Sequence, residues 1–270
     1  MQLPSPQTPL LFYGCGNMGR ALLDGWLRGG LAPECFAVID PFASDLPTGV
    51  AHYTDAQEAG ARYHIAVLAI KPQAFGELAT SVESVLTGDA TVFSVLAGTR
   101  IATLQRALPR RMILRLMPNL AAALGKSPLG LFADNVSADS RSRIESLLAP
   151  LGQSCWLDAE EQMDAVTALA GSGPAFVYRF LSALTKAGED IGLSAEQATQ
   201  LSLAMVSGAT ALAEGSEVDP DALAARVTSK GGTTAAGLAI LDQDDALRTL
   251  IANTLRAARD RGVELAAESE

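Results

Sequence analysis

Short apolar runs alternate with amphipathic stretches through the first half of the chain. The runs have the length and composition of buried strands, and the stretches between them repeat apolar residues at helical spacing. This alternation favours βαβ units and a mostly parallel sheet. The predicted strands are 10–13, 36–39, 65–70, 91–95, 113–117, 129–132 and 154–157, and the predicted helices are 18–28, 75–86, 101–108 and 140–148.

The pattern changes after about Asp158. Strand-like runs end there, and apolar residues recur at helical spacing over wide faces. Asp219 and Pro220 indicate a helix start, because Asp is a favoured N-cap and Pro suits the first helical position. We therefore predict a doubly wound α/β domain over residues 1–160 and an all-helical domain over residues 161–270. Because wide apolar faces must be buried, the helical domain is predicted to pair with another subunit.

A glycine-rich turn follows the first predicted strand. Its sequence at 14–19, Gly-Cys-Gly-Asn-Met-Gly, matches G-x-G-x-x-G between a strand and a helix, the context in which this motif binds dinucleotides. Gly14 permits the tight turn, Gly16 lets the backbone approach a pyrophosphate, and Gly19 lets helix and strand pack closely. An ordinary strand–helix turn is the alternative. Together with the βαβ pattern, the motif predicts a Rossmann-type domain.

Asp40 follows the second predicted strand, 21 residues after Gly19. A carboxylate at this place accepts hydrogen bonds from the adenosine ribose hydroxyls and repels a 2′-phosphate, which favours NADH over NADPH. The alternative is an Asx turn before Pro41. The nearest basic residue downstream is Arg62.

Further candidate cofactor residues follow the later strands, because ligands of doubly wound sheets lie beyond the carboxyl ends of the strands. Lys71 stands at one such end, although a solvated lysine is the alternative. Small residues at the next end would let a nicotinamide ring lie against the backbone. The predicted cofactor-binding residues are Gly14, Gly16, Asn17, Met18, Gly19, Asp40, Ala69, Lys71, Pro72, Ala97 and Asn119.

A second glycine-rich segment, Ser-Lys-Gly-Gly-Thr-Thr at 229–234, lies between two predicted helices. Converging backbone N–H groups at a helix start form an anion site that suits a carboxylate or a phosphate. Thr233 or Thr234 is expected to cap the helix that follows, and a plain interhelical turn is the alternative. The break Gly-Ser-Gly-Pro at 171–174 predicts a kink or a helix boundary, made either for a ligand or for packing.

Composition excludes several classes of protein. The net charge of −10 argues against nucleic acid as a partner, and three widely spaced cysteines with two histidines indicate neither a disulfide framework nor a metal site. The first residues have no signal-peptide pattern, and no apolar run is long enough for a membrane span. We expect a cytoplasmic protein with no membrane partner.

Five segments together resemble pyrroline-5-carboxylate reductase, the last enzyme of proline biosynthesis. They are 12–19, 69–73, 115–119, 170–175 and 227–234, and the last two are the most specific. The resemblance implies a Rossmann domain, helical domains that interlock as homodimers and assemble further into decamers, and a substrate loop at 229–234. Substrate contacts are then expected at Ser172, Gly231, Gly232 and Thr233, with catalytic hydroxyls at Ser229 and Thr234.

The implied reaction transfers a hydride from NAD(P)H to the C=N carbon of 1-pyrroline-5-carboxylate, giving L-proline. No histidine or cysteine of the catalytic kind is needed, because a cyclic imine is basic enough to be protonated near neutral pH. The alternatives are a β-hydroxyacid dehydrogenase, another imine reductase and a non-catalytic nucleotide-binding protein. The first would require a catalytic lysine in the helical domain, where Lys186 and Lys230 are the candidates.

Overall fold

The structure, a computed structural model, describes residues 3–60 and 62–267. The chain forms two compact units, the first comprising the residues up to Gly171 together with those from Ala258 onward, and the second comprising Ser172–Ala257. The first unit thus extends past residue 160. The boundary that the sequence predicts there stays a prediction.

The first unit contains an eight-stranded sheet. Its strands are β1 (Leu10–Tyr13), β2 (Phe36–Ile39), β3 (Ala51–Tyr53), β4 (Tyr63–Leu68), β5 (Leu86–Ser94), β6 (Met112–Met117), β7 (Ser127–Phe132) and β8 (Gly152–Trp156). Their order is β3-β2-β1-β4-β5-β6-β7-β8, and every neighbouring pair is parallel except β6 with β7. The order changes direction between β1 and β4, so a ligand crevice is expected at the carboxyl ends of these strands.

Helices connect the strands of the sheet, and the described residues after β8 form further helices. They are α1 (Asn17–Arg28), α2 (Ala56–Ala59), α3 (Phe75–Ser84), α4 (Ile101–Ala107), α5 (Ala138–Leu148), α6 (Gln162–Val166), α7 (Gly173–Asp190), α8 (Ala195–Glu214), α9 (Pro220–Arg226), α10 (Thr233–Leu241) and α11 (Ala246–Ala267). A single π-helical turn, Thr167–Gly171, lies between α6 and α7. The prediction of a Rossmann-type sheet followed by helices is confirmed.

The central strands of the sheet, such as β1 and β2, are buried on both faces, and their side chains alternate between the two faces. On β1, Phe12 faces a core that contains Trp26, while Leu11 and Tyr13 face a second core. The indole N–H of Trp26 donates to the carbonyl of Leu147 at 2.6 Å, which ties α1 to α5. Burial on both faces is why these strands are continuous apolar runs in the sequence.

Two short elements and several element bounds of the first unit differ from the predictions; β4, β7 and β8, for example, each begin two residues before the predicted strands. The strand β3 and the short helix α2 were not expected, because β3 lies at the sheet edge with exposed residues and has no apolar run. The helix predicted at 75–86 ends at Ser84, and β5 already begins at Leu86, five residues before the predicted strand. The antiparallel pairing of β6 with β7 is compatible with the mostly parallel sheet that was predicted.

The second unit buries little of its apolar surface. Among its described residues, α7, α9 and α10 contain no buried residue, and α8 contains only Ala198. Large apolar side chains remain exposed instead: Tyr178 at 69%, Leu212 at 75% and Ile240 at 70%. Exposed apolar area of this extent is typical of a surface that another protein covers. Within the described residues, no helix is long and apolar enough to span a membrane.

Candidate active site

The glycine-rich turn lies at the carboxyl end of β1, beside the strand end of β4. Gly14 has φ +87°, and a Cβ there would lie 2.8 Å from the carbonyl oxygen of Ala69. A Cβ on Gly19 would lie 3.0 Å from the carbonyl oxygen of Gly14, so both positions need glycine for close approach. Gly16 precedes α1 and has open space where its Cβ would stand. The turn therefore presents bare backbone at a helix start.

The Asp40 carboxylate binds the turn directly. Its Oδ2 accepts from the backbone N–H of Cys15 at 2.7 Å, and its Oδ1 accepts from the N–H of Phe42 at 2.8 Å. The second bond is the Asx turn that the sequence left open as an alternative. Each oxygen has a further lone pair, so the carboxylate can still accept a ligand hydroxyl. Burial, and next the Asp40 charge, raise the pKa of the Cys15 thiol to about 11, so this thiol stays protonated near neutral pH.

One cavity of about 630 Å³ brings several predicted cofactor residues together. Gly14, Gly16, Asp40, Ala69 and Lys71 line it. They come from the ends of β1, β2 and β4, the place where the strand order changes direction. Such a crevice is the expected dinucleotide site of a doubly wound sheet. Thr54, Asp55 and Ser81 line the cavity as well, and the sequence pattern had not singled them out.

The remaining predicted cofactor residues lie around the same turn or at other strand ends. Asn17 and Met18 begin α1, and Pro72 follows Lys71. Ala97 is exposed beyond β5. Asn119 is buried, with Oδ1 accepting from the N–H of Ala121 and Nδ2 donating to the carbonyl of Ala170 at 3.0 Å. The bond to Ala170 joins the end of β6 to the π-helical turn. A cofactor contact of Asn119 stays a prediction.

A cluster of four charged side chains lies beside β6, at positions that the sequence pattern had not indicated. Arg115 is 2% exposed, and its Nη1 donates to Oε1 of Glu160 at 3.0 Å. The same Glu160 oxygen accepts from the N–H of Ile101 at 2.7 Å, at the start of α4. Arg100 donates to Asp164 at 3.1 Å. Burial lowers the pKa of Arg115, and the negative charge of Glu160 partly offsets this decrease.

This cluster attaches α6 and its preceding residues to the loop between β5 and α4, the loop that contains Ala97. No sequence pattern predicts this cluster, because Arg115 interrupts an apolar strand and Glu160, the partner of Arg115, lies 45 residues later. Glu160 and Asp164 stand four positions apart, a spacing that by itself suggests only an exposed helical face.

The predicted substrate loop lies between α9 and α10. Gly231 has φ +73°, and Gly232 precedes α10 in an extended conformation. The N–H of Gly232 donates to the carbonyl of Ser229 at 3.0 Å, and a Cβ on Gly232 would collide with the Ser229 hydroxyl. The loop therefore places the Ser229 side chain against the start of α10.

Thr233 and Thr234 do not cap α10, which corrects the prediction. The helix begins at Thr233, so both threonines lie inside its first turn, and Gly232 takes the N-cap position without a side chain. Among the described residues no side-chain cap and no acidic residue occupies this helix start. The first N–H groups of α10 consequently form a potential anion site, flanked by hydroxyl groups.

Two further features of the second unit bear on the site. Ser172 directly precedes α7 and Pro174 lies in the first turn, so the break at 171–174 is a helix boundary as predicted. An apolar cavity of about 640 Å³ lies along α8 and α9, and none of the predicted site residues lines it. Among the described residues, no group of three or more His, Cys, Asp or Glu side chains could hold a metal ion.

Comparisons with known proteins bear on both units. Residues 160–265 match the family model for pyrroline-5-carboxylate reductase dimerisation, and residues 10–98 match that for NADP oxidoreductase, coenzyme F420-dependent. A pyrroline-5-carboxylate reductase of Pseudomonas aeruginosa is 36% identical over 96% of this chain and 97% of its own length. The chain belongs to the pyrroline-5-carboxylate reductase family. The family's reductase 2 of Bacillus subtilis is 34% identical over 94% of both chains.

Solved structures of the family have the same fold. A pyrroline-5-carboxylate reductase from Coxiella burnetii matches with a TM-score of 0.87 and 30% identity, covering 96% of this chain and 98% of its own. A pyrroline carboxylate reductase from Plasmodium falciparum, solved with NADP bound, matches with a TM-score of 0.84 and 25% identity, covering 97% and 99%. The family resemblance inferred from the sequence is confirmed.

Proposed function

We propose that this chain is an NAD(P)H-dependent reductase that converts 1-pyrroline-5-carboxylate to L-proline, the final step of proline biosynthesis. Membership of the family over nearly the whole chain carries the proposal. The geometry supports it, because the chain offers both a bare glycine-rich turn for a dinucleotide and an uncapped helix start for a small anion.

The residues at the first site fit a dinucleotide. Gly14 and Gly19 allow the approach of strand, turn and helix, and open space beside Gly16 leaves its backbone accessible. The start of α1 would hold the pyrophosphate through its N–H groups, and Asp40 would accept the adenosine ribose hydroxyls. We assign Ala69, Lys71, Pro72, Ala97 and Asn119 to the same site. A bound NAD(P)H supplies the hydride for the reduction.

The residues at the start of α10 would hold the substrate. The N–H groups of Gly231 and Thr233 bind its carboxylate, with Ser229 as an added hydroxyl donor. Gly232, whose N–H donates to the carbonyl of Ser229, contacts the substrate through its bare Cα. The Thr234 hydroxyl holds the ring nitrogen, and Ser172 contributes to the same pocket. Because the imine is itself basic, these groups need only bind and orient it; no strong acid is required. Fixing a substrate at two points can accelerate a reaction through orientation alone.

An assay with pyrroline-5-carboxylate tests this proposal. We expect the purified chain to oxidise NADH or NADPH when pyrroline-5-carboxylate is added, with L-proline as the product. A panel of other cyclic imines, assayed with NAD(P)H, and of β-hydroxyacids, assayed with NAD(P)+ as the hydride acceptor, serves as the comparison. Faster turnover of a β-hydroxyacid, or nucleotide binding without turnover of any substrate, would contradict the assignment in favour of one of the alternative functions.

We predict that Asp40 gives a preference for NADH of at least about tenfold in kcat/KM, equivalent to about 1.4 kcal/mol. Its carboxylate can accept the ribose hydroxyls and would repel a 2′-phosphate. Asp40→Ser is expected to weaken NADH and improve NADPH, as measured by kcat/KM for each cofactor. If the carboxylate serves only the bonds to Cys15 and Phe42, the substitution should change both values alike.

We also infer a homodimer or a multiple of it, including the decamer that the family resemblance suggests. The exposed apolar side chains of α7, α8 and α10 support this inference, as does the match to a dimerisation model. Light scattering at micromolar concentration is expected to give twice the chain mass or an even multiple. A monomer under these conditions would contradict it. We retain the division into domains at residues 1–160 and 161–270 as part of this proposal.

A further inference from the structure

A second cavity adjoins the proposed cofactor cavity. Its volume is about 460 Å³, and Gly16 and Phe42 line both cavities. The first cavity contains Asp40, whereas the second contains Arg20 and Ser44. A nucleotide whose ribose lies at Asp40 therefore has the second cavity beside that ribose.

Two hydrogen bonds orient Arg20, one to a residue of α1 and one to the loop after β2. Its Nε donates to Oδ1 of Asp24 at 2.8 Å, and its Nη1 donates to the carbonyl oxygen of Asp45 at 2.8 Å. A guanidinium has five N–H donors in a fixed planar fork, so these two bonds orient the others. The side chain is 38% exposed, which leaves it accessible to a ligand.

Arg20 and Asp40 thus place opposite charges near the same turn. The carboxylate contacts the N–H of Cys15, and both charges act on the pKa of the Cys15 thiol, Asp40 raising it and Arg20 lowering it. The sequence does not point to Arg20, because this residue precedes Asp40 in the chain, whereas the residues that follow Asp40 closely include no arginine. In dinucleotide-binding folds, an arginine near the ribose accommodates a 2′-phosphate.

We propose that Arg20 is a specificity-determining residue that receives the 2′-phosphate of NADPH, with the Ser44 hydroxyl as a second donor. This inference rests on the proposed function, since it requires a dinucleotide at the glycine-rich turn. Asp40 favours the unphosphorylated ribose and Arg20 the phosphorylated one, so the choice of cofactor depends on the balance of two opposite charges. The enzyme consequently uses both cofactors, with Arg20 limiting the preference for NADH.

Nucleotide fragments test the role of Arg20 without any substrate. Binding of 2′,5′-ADP and of 5′-ADP to the full chain would be measured by titration calorimetry, in the unmodified protein and in Arg20→Met. We expect Arg20→Met to weaken 2′,5′-ADP about tenfold and to change 5′-ADP less than about twofold. The kcat/KM for NADPH should fall by a similar factor, with that for NADH nearly unchanged.

Arg143→Met is the matched control. Arg143 pairs with Asp139 on α5 in a similar i,i+4 arrangement at 3.0 Å, and it does not line either cavity. We expect it to leave the ratio of the two affinities unchanged. Thermal unfolding of each variant by circular dichroism verifies that it is folded.

Asp24→Asn provides an independent test, because this substitution keeps Arg20 and removes the carboxylate that partly neutralises the Arg20 charge. We expect tighter binding of 2′,5′-ADP, an effect that decreases at high salt. An unchanged affinity ratio in both Arg20→Met and Asp24→Asn, or an equal loss for both fragments, would overturn the role of Arg20. A chain that binds neither fragment would overturn the proposed function as well, so the two failures are distinguishable.

Discussion

Replacement of Thr234 by alanine is expected to lower kcat/KM for pyrroline-5-carboxylate about a hundredfold, the usual cost of losing one positioned donor at a reacting group. Thr234 lies in the first turn of α10, beside N–H groups that no described side chain caps. The substitution removes a hydroxyl and leaves the backbone anion site in place. The substrate should therefore still bind through its carboxylate, while its ring nitrogen loses the group that orients it.

Nucleotide binding separates this effect from general damage. Thr234 lies in the second unit and the proposed dinucleotide residues lie in the first, so the affinity for 5′-ADP should stay the same. Thr254→Ala is the matched control, because its hydroxyl bonds the carbonyl of Leu250 within α11. We expect nearly full activity from Thr254→Ala. An unchanged kcat/KM in Thr234→Ala would show that Thr234 does not act on the substrate.

Replacement of Glu160 by alanine is expected to lower the free energy of unfolding by about 3–5 kcal/mol, the usual consequence of leaving a buried charge without its partner. Arg115 would keep its charge with 2% exposure, and the N–H of Ile101 would lose its acceptor. Denaturation with urea, followed by circular dichroism, measures the change.

Two companion variants test the cause. Replacing Glu160 and Arg115 together by methionine removes both charges, and we expect it to recover most of the lost stability. Glu264→Ala is the matched control, since Glu264 pairs with Arg261 at 2.8 Å on α11 and both side chains are more than half exposed. Exposed pairs contribute about 0–1 kcal/mol, so this variant should lose little. Equal losses in Glu160→Ala and Glu264→Ala would contradict the role assigned to burial.

The elements that the sequence predicted well are those with both faces buried. β1 and β2 were predicted with correct bounds, because a continuous apolar run of four residues bounded by turns is typical of a fully buried strand. The edge strand β3 was not predicted, since its exposed residues carry no hydrophobic pattern. Leu86, the first residue of β5, was assigned to the preceding helix, and residues 87–90 were assigned to no element, because Gly88 and Asp89 are poor strand formers.

The residues of the candidate site also fall into two groups, those that a local sequence pattern predicts and those that it does not. The glycine-rich turn was recognisable because its spacing reflects local backbone geometry, which a sequence records directly. The N–H of Cys15 donates to Asp40, and Arg115 donates to Glu160, 25 and 45 positions away in the chain; such pairings depend on the packed fold. Arg20 belongs to this second group, since its proximity to the loop after β2 follows only from the way α1 lies on the sheet.

The bond between Asp40 and Cys15 also bears on the energetics of ligand capture. The N–H of Gly14 donates to the carbonyl of Ile39 at 2.9 Å, so two consecutive residues of the turn are already held by the end of β2. A loop that is preorganised in this way loses little conformational entropy when a ligand arrives. Association of a nucleotide should accordingly proceed without a slow ordering step, and the heat-capacity change should reflect contact with the ligand rather than folding of the turn.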